Sequence, residues 1–226
     1  MGSAPSQPSR PRQPLSLPRI VDVAVQIADE RGLDALTMRR LGAELGVEAM
    51  SLYNHVKDKS EVIDGIIDRV LGEITLPQPG PAWRAPLRAS AVEAHACYRR
   101  HPWAAEIVLS PSTVRVVPAR LRYIESILAC LRIAGFSPED ASHGYHAIDS
   151  HTLGFTLWEV GHTLPAGTAT DFVEGLVSGI DATEFPYLIE HANEHLRGVV
   201  DRGIDEFEFG LDLILDGLAR LVHPAM

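Results

Sequence analysis

Apolar residues recur along this chain at helical rather than alternating spacing. After an opening stretch with little to bury, Ile20, Val21, Ala24, Ile27 and Ala28 mark the first amphipathic helix. Ser16 stands where its N-cap belongs, Pro18 suits a first turn, and Gly32 closes it. Thr37 is placed to cap a short second helix that runs through Leu45, and Gly46 suits a sharp turn after it. A third short helix is expected over about Glu48 to Asn54. Asp58-Lys59-Ser60-Glu61 then has the form of a capping box, with Asp58 as cap and Glu61 at the third helical position. Val62, Ile63, Ile66, Ile67, Val70, Leu71 and Ile74 continue from it as one apolar stripe, the fourth helix.

The run Pro77-Gln-Pro-Gly-Pro81 breaks the pattern, and a domain boundary is placed there. Helical spacing resumes over about 83–101, 103–110, 115–134 and 138–161, and again over 183–201 and 205–222. A polar, Gly-containing stretch near 162–180 reads as a loop, and Gly135-Phe-Ser137-Pro138 as a helix stop and restart. No alternating pattern competes, so the expected fold is all-α. Residues 18–76 form an N-terminal three-helix domain with its connecting helix, and 82–226 a larger helical domain. Residues 1–17, rich in Pro and Ser, read as a disordered arm. Arg10, Arg12 and Arg19 would let that arm lie on phosphates or in a minor groove; a tail with no role fits the composition equally.

Charge sharpens the division. The chain of 226 residues carries a net charge of −10, which disfavours nucleic-acid contact over most of its surface. Residues 1–60, however, hold eight Lys/Arg against seven Asp/Glu, while the remainder holds twelve against twenty-three. Any DNA contact is therefore expected in the first quarter. With only Cys97 and Cys130, no disulfide framework is expected. No membrane-spanning run and no secretory h-region is read, and a cytoplasmic protein is the expectation.

The segment from Leu36 to Ile63 carries the chemistry. Leu41 and Leu45 face a core from the second helix, and Val47 and Leu52 hold the third against it. Ala49, Met50, Ser51 and Tyr53 are left on the outer surface of a helix whose size fits the major groove, where its N-terminal residues meet base edges. Small apolar groups can approach thymine methyls there, and the Ser51 hydroxyl can donate or accept. Thr37, Arg39, Tyr53, His55 and Lys59 are placed to hold phosphates, which fix register without reading sequence.

The run Pro18 to Ile74 resembles the DNA-binding domain of the tetracycline-repressor (TetR) family. Leu45-Gly-Val-Glu48 followed by Ser51-Leu-Tyr-Asn-His-Val-Lys-Asp-Lys59 is similar to that family's recognition helix and the start of its next helix. The resemblance implies a homodimer on a palindromic operator, released when a ligand enters the C-terminal domain. It places Thr37, Met38 and Arg39 at the contact end of the scanning helix, Ala49, Met50, Ser51, Tyr53 and His55 at the groove, and Lys59 on the backbone. Ala49 departs from the pattern, which often has a longer polar side chain there. The alternative is a three-helix domain whose same residues only pack.

Further on, Gly135-Phe136-Ser137, Thr152-Leu153-Gly154 and Phe207-Glu-Phe-Gly210-Leu211 look similar to the regulatory domain of the tetracycline repressors themselves. The positions that align with their metal–drug chelate are here Gly72, Ser90, Ala94, Val108, Ile127 and Ser150. These cannot hold Mg²⁺ or stack on a drug ring, so a small organic effector other than tetracycline is expected, with no cofactor and no metal. The candidate pocket wall is the 138–161 helix, with Tyr145, His146, Asp149, His151, Phe155 and Trp158, joined by His95 and Trp103. The same residues would also serve as ordinary core. His191-Ala-Asn-Glu194-His195 reads as H-x-x-E-H, an inverted zinc-protease pattern, but a solvated helix face satisfies it as well. Phe207, Leu211, Ile214, Leu218 and Leu221 recur in 4-3 steps and are read as a dimer seam, with an intramolecular core as the alternative. A metal-assisted hydrolase and an architectural DNA binder without ligand are the rival functions; the reading favoured is a regulator without catalysis.

Overall fold

The computed structural model describes residues 14–110, 117–161, 174–175, 177–193 and 205–222. Within these residues all regular structure is helical, and two compact units divide between Val70 and Leu71. Among the described residues no helix is long and apolar enough to cross a membrane. The arm residues Arg10 and Arg12, most of the 162–180 stretch, and Glu194 and His195 of the H-x-x-E-H pattern lie outside the described residues.

The first unit holds α1 (Leu17–Arg31), α2 (Met38–Leu45), α3 (Ala49–Leu52) and most of α4 (Lys59–Leu71). A short 3-10 turn, Leu33–Ala35, follows Gly32, whose φ of 78° ends α1. Ile20, Ala24, Leu41, Leu52, Val62 and Ile66 are wholly buried and form the core. Two caps fix the chain's course. Thr37 Oγ1 accepts from the Arg40 N–H at 3.2 Å, and Asp58 Oδ1 accepts from the Glu61 N–H at 2.9 Å. The Glu61 carboxylate returns to the Lys57 N–H at 2.6 Å, one residue earlier than in an ordinary capping box.

The second unit contains α5 (Arg84–Arg100), α6 (Pro102–Leu109), α7 (Pro118–Ile133), α8 (Pro138–Gly161), α9 (Pro186–His191) and α10 (Glu206–Ala219). Helix α8 touches α5, α6, α7 and α10, and so occupies the centre. Gly144 lets Leu131 of α7 and Leu218 of α10 close over it; a Cβ there would lie 3.1 and 3.2 Å from their methyl carbons. Arg88 of α5 bonds Asp212 and Glu208 of α10, and Arg84 reaches Asp212 and Asp216. The Arg88 guanidinium holds the Asp212 carboxyl below its ordinary range.

Two expectations change here. The units divide before the Pro77–Pro81 run because the chain after α4 is already tied to α5: Thr75 donates its N–H to Glu93 at 3.0 Å, and its carbonyl accepts from Ser90 Oγ at 2.9 Å. Most of the 4-3 stripe of the last helix packs inside the subunit, although Ile214 is only half-buried and Leu221 is 44% exposed. Phe207, Leu211 and Leu218 are buried in the chain's own core, together with Leu215, while Phe209 and Leu213 stand 55% and 59% exposed on another face. A 4-3 repeat marks a helix that is packed, not what it is packed against.

Helices α2 and α3 meet at Gly42, where a Cβ would lie 2.9 Å from the Val47 carbonyl oxygen and 3.1 Å from the Ala49 nitrogen. Both are backbone atoms, which cannot swing aside. Gly42→Ala is therefore expected to destabilise the first unit by about 1–3 kcal/mol. Chemical denaturation checks it, and an unchanged midpoint would contradict the close approach.

Candidate functional site

The first unit exposes most of the side chains expected at DNA. Cap geometry leaves Thr37 exposed at the start of α2, with Met38 half-buried and Arg39 exposed beside it. Leu52 anchors α3 from below, and that single anchor turns Met50 outward, 73% exposed, with Ala49 and Ser51 half-buried on either side. Tyr53, His55 and Lys59 are exposed along the turn into α4. Arg31, Arg39 and Arg40 line a depression of about 710 Å³ together with Thr37, Asp34 and Glu44. Of the nine residues expected at the DNA, six are exposed and three, Met38, Ala49 and Ser51, are half-buried. None is sequestered in the core, and the cations among them suit phosphate contact.

In the second unit the residues expected at a ligand separate into two clusters. In the first, His95 of α5 is buried, with Nδ1 2.8 Å from Thr156 Oγ1. Its ring stacks on Phe207 at 4.0 Å between centroids, and Phe155 meets it edge-on at 5.8 Å. His151 stacks on Phe207 at 5.0 Å and donates Nε2–H to the Phe207 carbonyl at 2.9 Å. Gly210 makes room for this ring, since a Cβ there would sit 2.5 Å from His151 Cε1. Burial first, and the Arg99 charge second, push the His95 imidazole down to about 4, with Asp205 opposing. The Glu159 carboxylate lies 3.3 Å from His95 Nε2, and Arg99 Nε lies 3.4 Å from the same oxygen.

The second cluster is ionic. Arg120 of α7 meets Asp149 of α8 through two parallel bonds, Nη1–Oδ1 at 2.9 Å and Nη2–Oδ2 at 2.5 Å, with Tyr145 Oη 3.2 Å from Nη2. Both charges are largely buried, at 16% and 13% side-chain exposure. The Arg120 guanidinium lies 5.7 Å above the Tyr123 ring. Sequence reasoning named Tyr145 and Asp149 but missed Arg120, Tyr123 and Tyr98, whose charges and hydroxyls act on one another here.

Three expected pocket residues stand apart from both clusters or at their edge. Trp103 is buried in the first turn of α6, edge-on to His101 at 6.1 Å. His146 is exposed and its Nδ1 turns back to the Ser142 carbonyl at 2.8 Å. Trp158 is 57% exposed, touching Phe155 at 5.6 Å between centroids. Among the described residues no three His, Cys, Asp or Glu side chains gather as a metal site.

Comparison with known proteins decides what this pair of units is. Residues 20–66 match the model of bacterial regulatory proteins of the tetR family, and residues 76–222 match the tetracyclin repressor-like C-terminal domain. The chain belongs to the tetracycline-repressor family. It is 34% identical to the HTH-type transcriptional repressor DrrR1 of Streptomyces coeruleorubidus, over 96% of this chain and 82% of that protein. The crystal structure of ActR from Streptomyces coelicolor in complex with actinorhodin superposes with a TM-score of 0.74 at 30% identity, covering 92% of this chain and 98% of that one. BioQ with its double-stranded DNA operator superposes at 0.64 with 25% identity, over 92% and 99%.

These matches make the chain a ligand-responsive transcriptional repressor of the TetR family, with an all-α fold of helix-turn-helix and C-terminal domain. Ser90, expected from the resemblance at a position of the drug chelate, is buried, and its Oγ donates to the Thr75 carbonyl.

The depressed His95 pKa sets a sign for stability. The folded state disfavours the imidazolium, so this contribution is present above about pH 6.5, the unfolded value, and is lost as pH falls toward about 4. The wild type is expected to lose about 1–2 kcal/mol more than His95→Gln between pH 7 and pH 4.5. Parallel urea titrations measure it. Equal losses would show that the ring is not held neutral.

Proposed function

We propose that this TetR-family member represses transcription as a homodimer on a palindromic operator, and leaves the DNA when a small organic effector occupies its C-terminal unit, without any catalytic step. The observation that supports the DNA half is the exposure of Thr37, Arg39, Met50, Tyr53, His55 and Lys59 along a capped helix-turn-helix. Residues 18–76 supply the reader and 82–226 the sensor and dimer contacts. Solved relatives with an operator and with an organic ligand support the two halves of the reading.

Tetracycline is not the effector in this reading. Gly72, Ser90, Ala94, Val108, Ile127 and Ser150 offer no imidazole, amide or aromatic ring for a metal–drug chelate. The effector instead lies beside α8, against residues among His95, Trp103, Tyr145, His146, Asp149, His151, Phe155 and Trp158. Release follows if it binds more tightly to the arrangement of the two readers that mismatches the operator, because equal affinity for both arrangements shifts nothing. A mobility shift with operator selected from random duplexes, repeated with candidate metabolites, tests the whole reading. A protein that retards no duplex would contradict it.

Lys59→Ala is expected to flatten the slope of log K against log salt by about one unit, since one phosphate contact disappears. Tyr53→Ala is expected to weaken operator binding without loss of fold. Fluorescence anisotropy over a salt series reads both, and an unchanged affinity and slope would remove these residues from the interface.

In this reading the dimer contact is made by the exposed Phe209 and Leu213 of α10. Leu213→Glu should give a folded monomer in sedimentation, because it would bury an unpaired carboxylate only in the dimer. Leu218→Glu, which strikes the subunit's own core, should unfold the second unit instead. A well-folded Leu213→Glu dimer would place the contact elsewhere.

A further inference from the structure

Two phenol hydroxyls are buried without a hydrogen-bond partner among the described residues: Tyr98 Oη on α5 and Tyr123 Oη on α7, in side chains only 1% and 2% exposed. Unpartnered buried donors are rare in folded proteins, because each forfeits its bonds to water without replacement. These two lie within electrostatic reach of each other and of the Arg120–Asp149–Tyr145 cluster. Burial holds both phenols well above their ordinary pKa, so both remain neutral O–H groups that can donate one bond and accept others.

We propose that the Tyr98 and Tyr123 hydroxyls, with Tyr145 beside them, form the polar end of the effector site, and that the effector meets them with uncharged carbonyl or hydroxyl oxygen. The inference rests on the C-terminal unit being the ligand sensor, and it names the ligand's chemistry. Three features select that chemistry. The hydroxyls are buried donors that no described protein group satisfies, so a carbonyl oxygen arriving there gains bonds that the protein itself leaves unmade. The cation in the cluster is spent: Arg120 is held on both nitrogens by Asp149. A carboxylate ligand would have to displace Asp149 and leave that charge buried and alone. A ligand ammonium would find its only counter-charge already paired with Arg120, and a hydrocarbon would leave both phenols unpartnered.

Three probes of nearly one shape separate these cases: ortho-acetylnaphthol, hydroxynaphthoate and ethylnaphthalene, titrated calorimetrically into the full chain without DNA. Acetylnaphthol is expected to bind saturably and at least about tenfold more tightly than the other two. Tyr98→Phe and Tyr123→Phe should each weaken it about tenfold, while each leaves the melting temperature of the free protein equal or higher, since an unpartnered hydroxyl is removed. That opposite movement of binding and stability is what a purely structural tyrosine would not give. Hydroxynaphthoate binding as tightly as acetylnaphthol, no saturable binding by acetylnaphthol, or Phe variants with unchanged affinity would each overturn the proposal. Because no DNA is present, the result is independent of the operator mobility shift: loss of the repressor reading would appear there and not here.

Discussion

Helix α8 has to bury Gly144, Ile148, Thr152, Leu153 and Thr156 among four neighbouring helices, and two of those residues carry hydroxyls. The rest of the second unit follows from how that burial is reconciled with hydrogen bonding. Thr152 and Thr156 each donate to the carbonyl one turn back, at 2.8 and 2.6 Å, so the helix satisfies its own buried side chains. Thr156 then has its oxygen available to His95, which ties α5 to the centre of α8. Gly144 allows α7 and α10 to close on the same helix from Leu131 and Leu218. A bulkier residue at Gly144 would push apart the two helices that carry Arg120 and the outward pair Phe209 and Leu213.

Helix α8 carries the settled buried polar groups, while the unsettled ones, Tyr98 and Tyr123, stand on its neighbours α5 and α7. Arg120 and Asp149 form a pair whose removal from water is offset only by their two parallel bonds and by Tyr145. Such a pair contributes little net stability compared with well-packed apolar residues. It does fix α7 against α8 in one register, and so fixes where Tyr123 and Tyr98 stand. The surface pairs between α5 and α10 differ in kind. Arg84, Arg88, Glu208 and Asp212 are each more than a third exposed or close to it, and solvent screens them. Their consequence is distribution of charge: they put acidic residues of α10 beside arginines that the DNA-reading unit does not need.

Much of this architecture was legible in the residues, for reasons that can be named. Thr37, Asp58 and Glu61 declare helix starts by local chemistry; the Thr37 and Asp58 bonds form as expected, and Glu61 reaches one residue further back, to Lys57. The bounds 138–161 are reproduced by α8 because Gly135-Phe-Ser137-Pro138 leaves no freedom at its start. The outward position of Met50 on α3 followed from one anchor, Leu52. What the sequence could not display is pairing at a distance. Arg120 sits in Pro-Ala-Arg-Leu-Arg, which reads as solvated, and its partner lies 29 residues away. Tyr98 and Tyr123 fall at apolar helical positions and read as core, which they are; only their lack of partners distinguishes them. Phe209 and Leu213 were passed over because the 4-3 stripe beside them gave the stronger periodic signal.

A sensor gains from keeping its polar groups dry before the ligand arrives. A hydroxyl exposed to water exchanges one hydrogen bond for another when a ligand binds, and the net gain is small. A hydroxyl already buried has met that loss during folding, so the ligand's oxygen adds most of a full bond. The price is carried by the free protein, whose stability is lowered by each such group. That arrangement also sharpens selection: a site built around buried donors distinguishes an oxygenated molecule from its hydrocarbon isostere far better than an apolar wall distinguishes one methylene from two. In the proposed site the donors stand on α5, α7 and α8, so ligand chemistry would become a condition for tightening three helices at once. Differential tightening of this kind is what a ligand must supply if its binding is to favour one arrangement of the repressor over another.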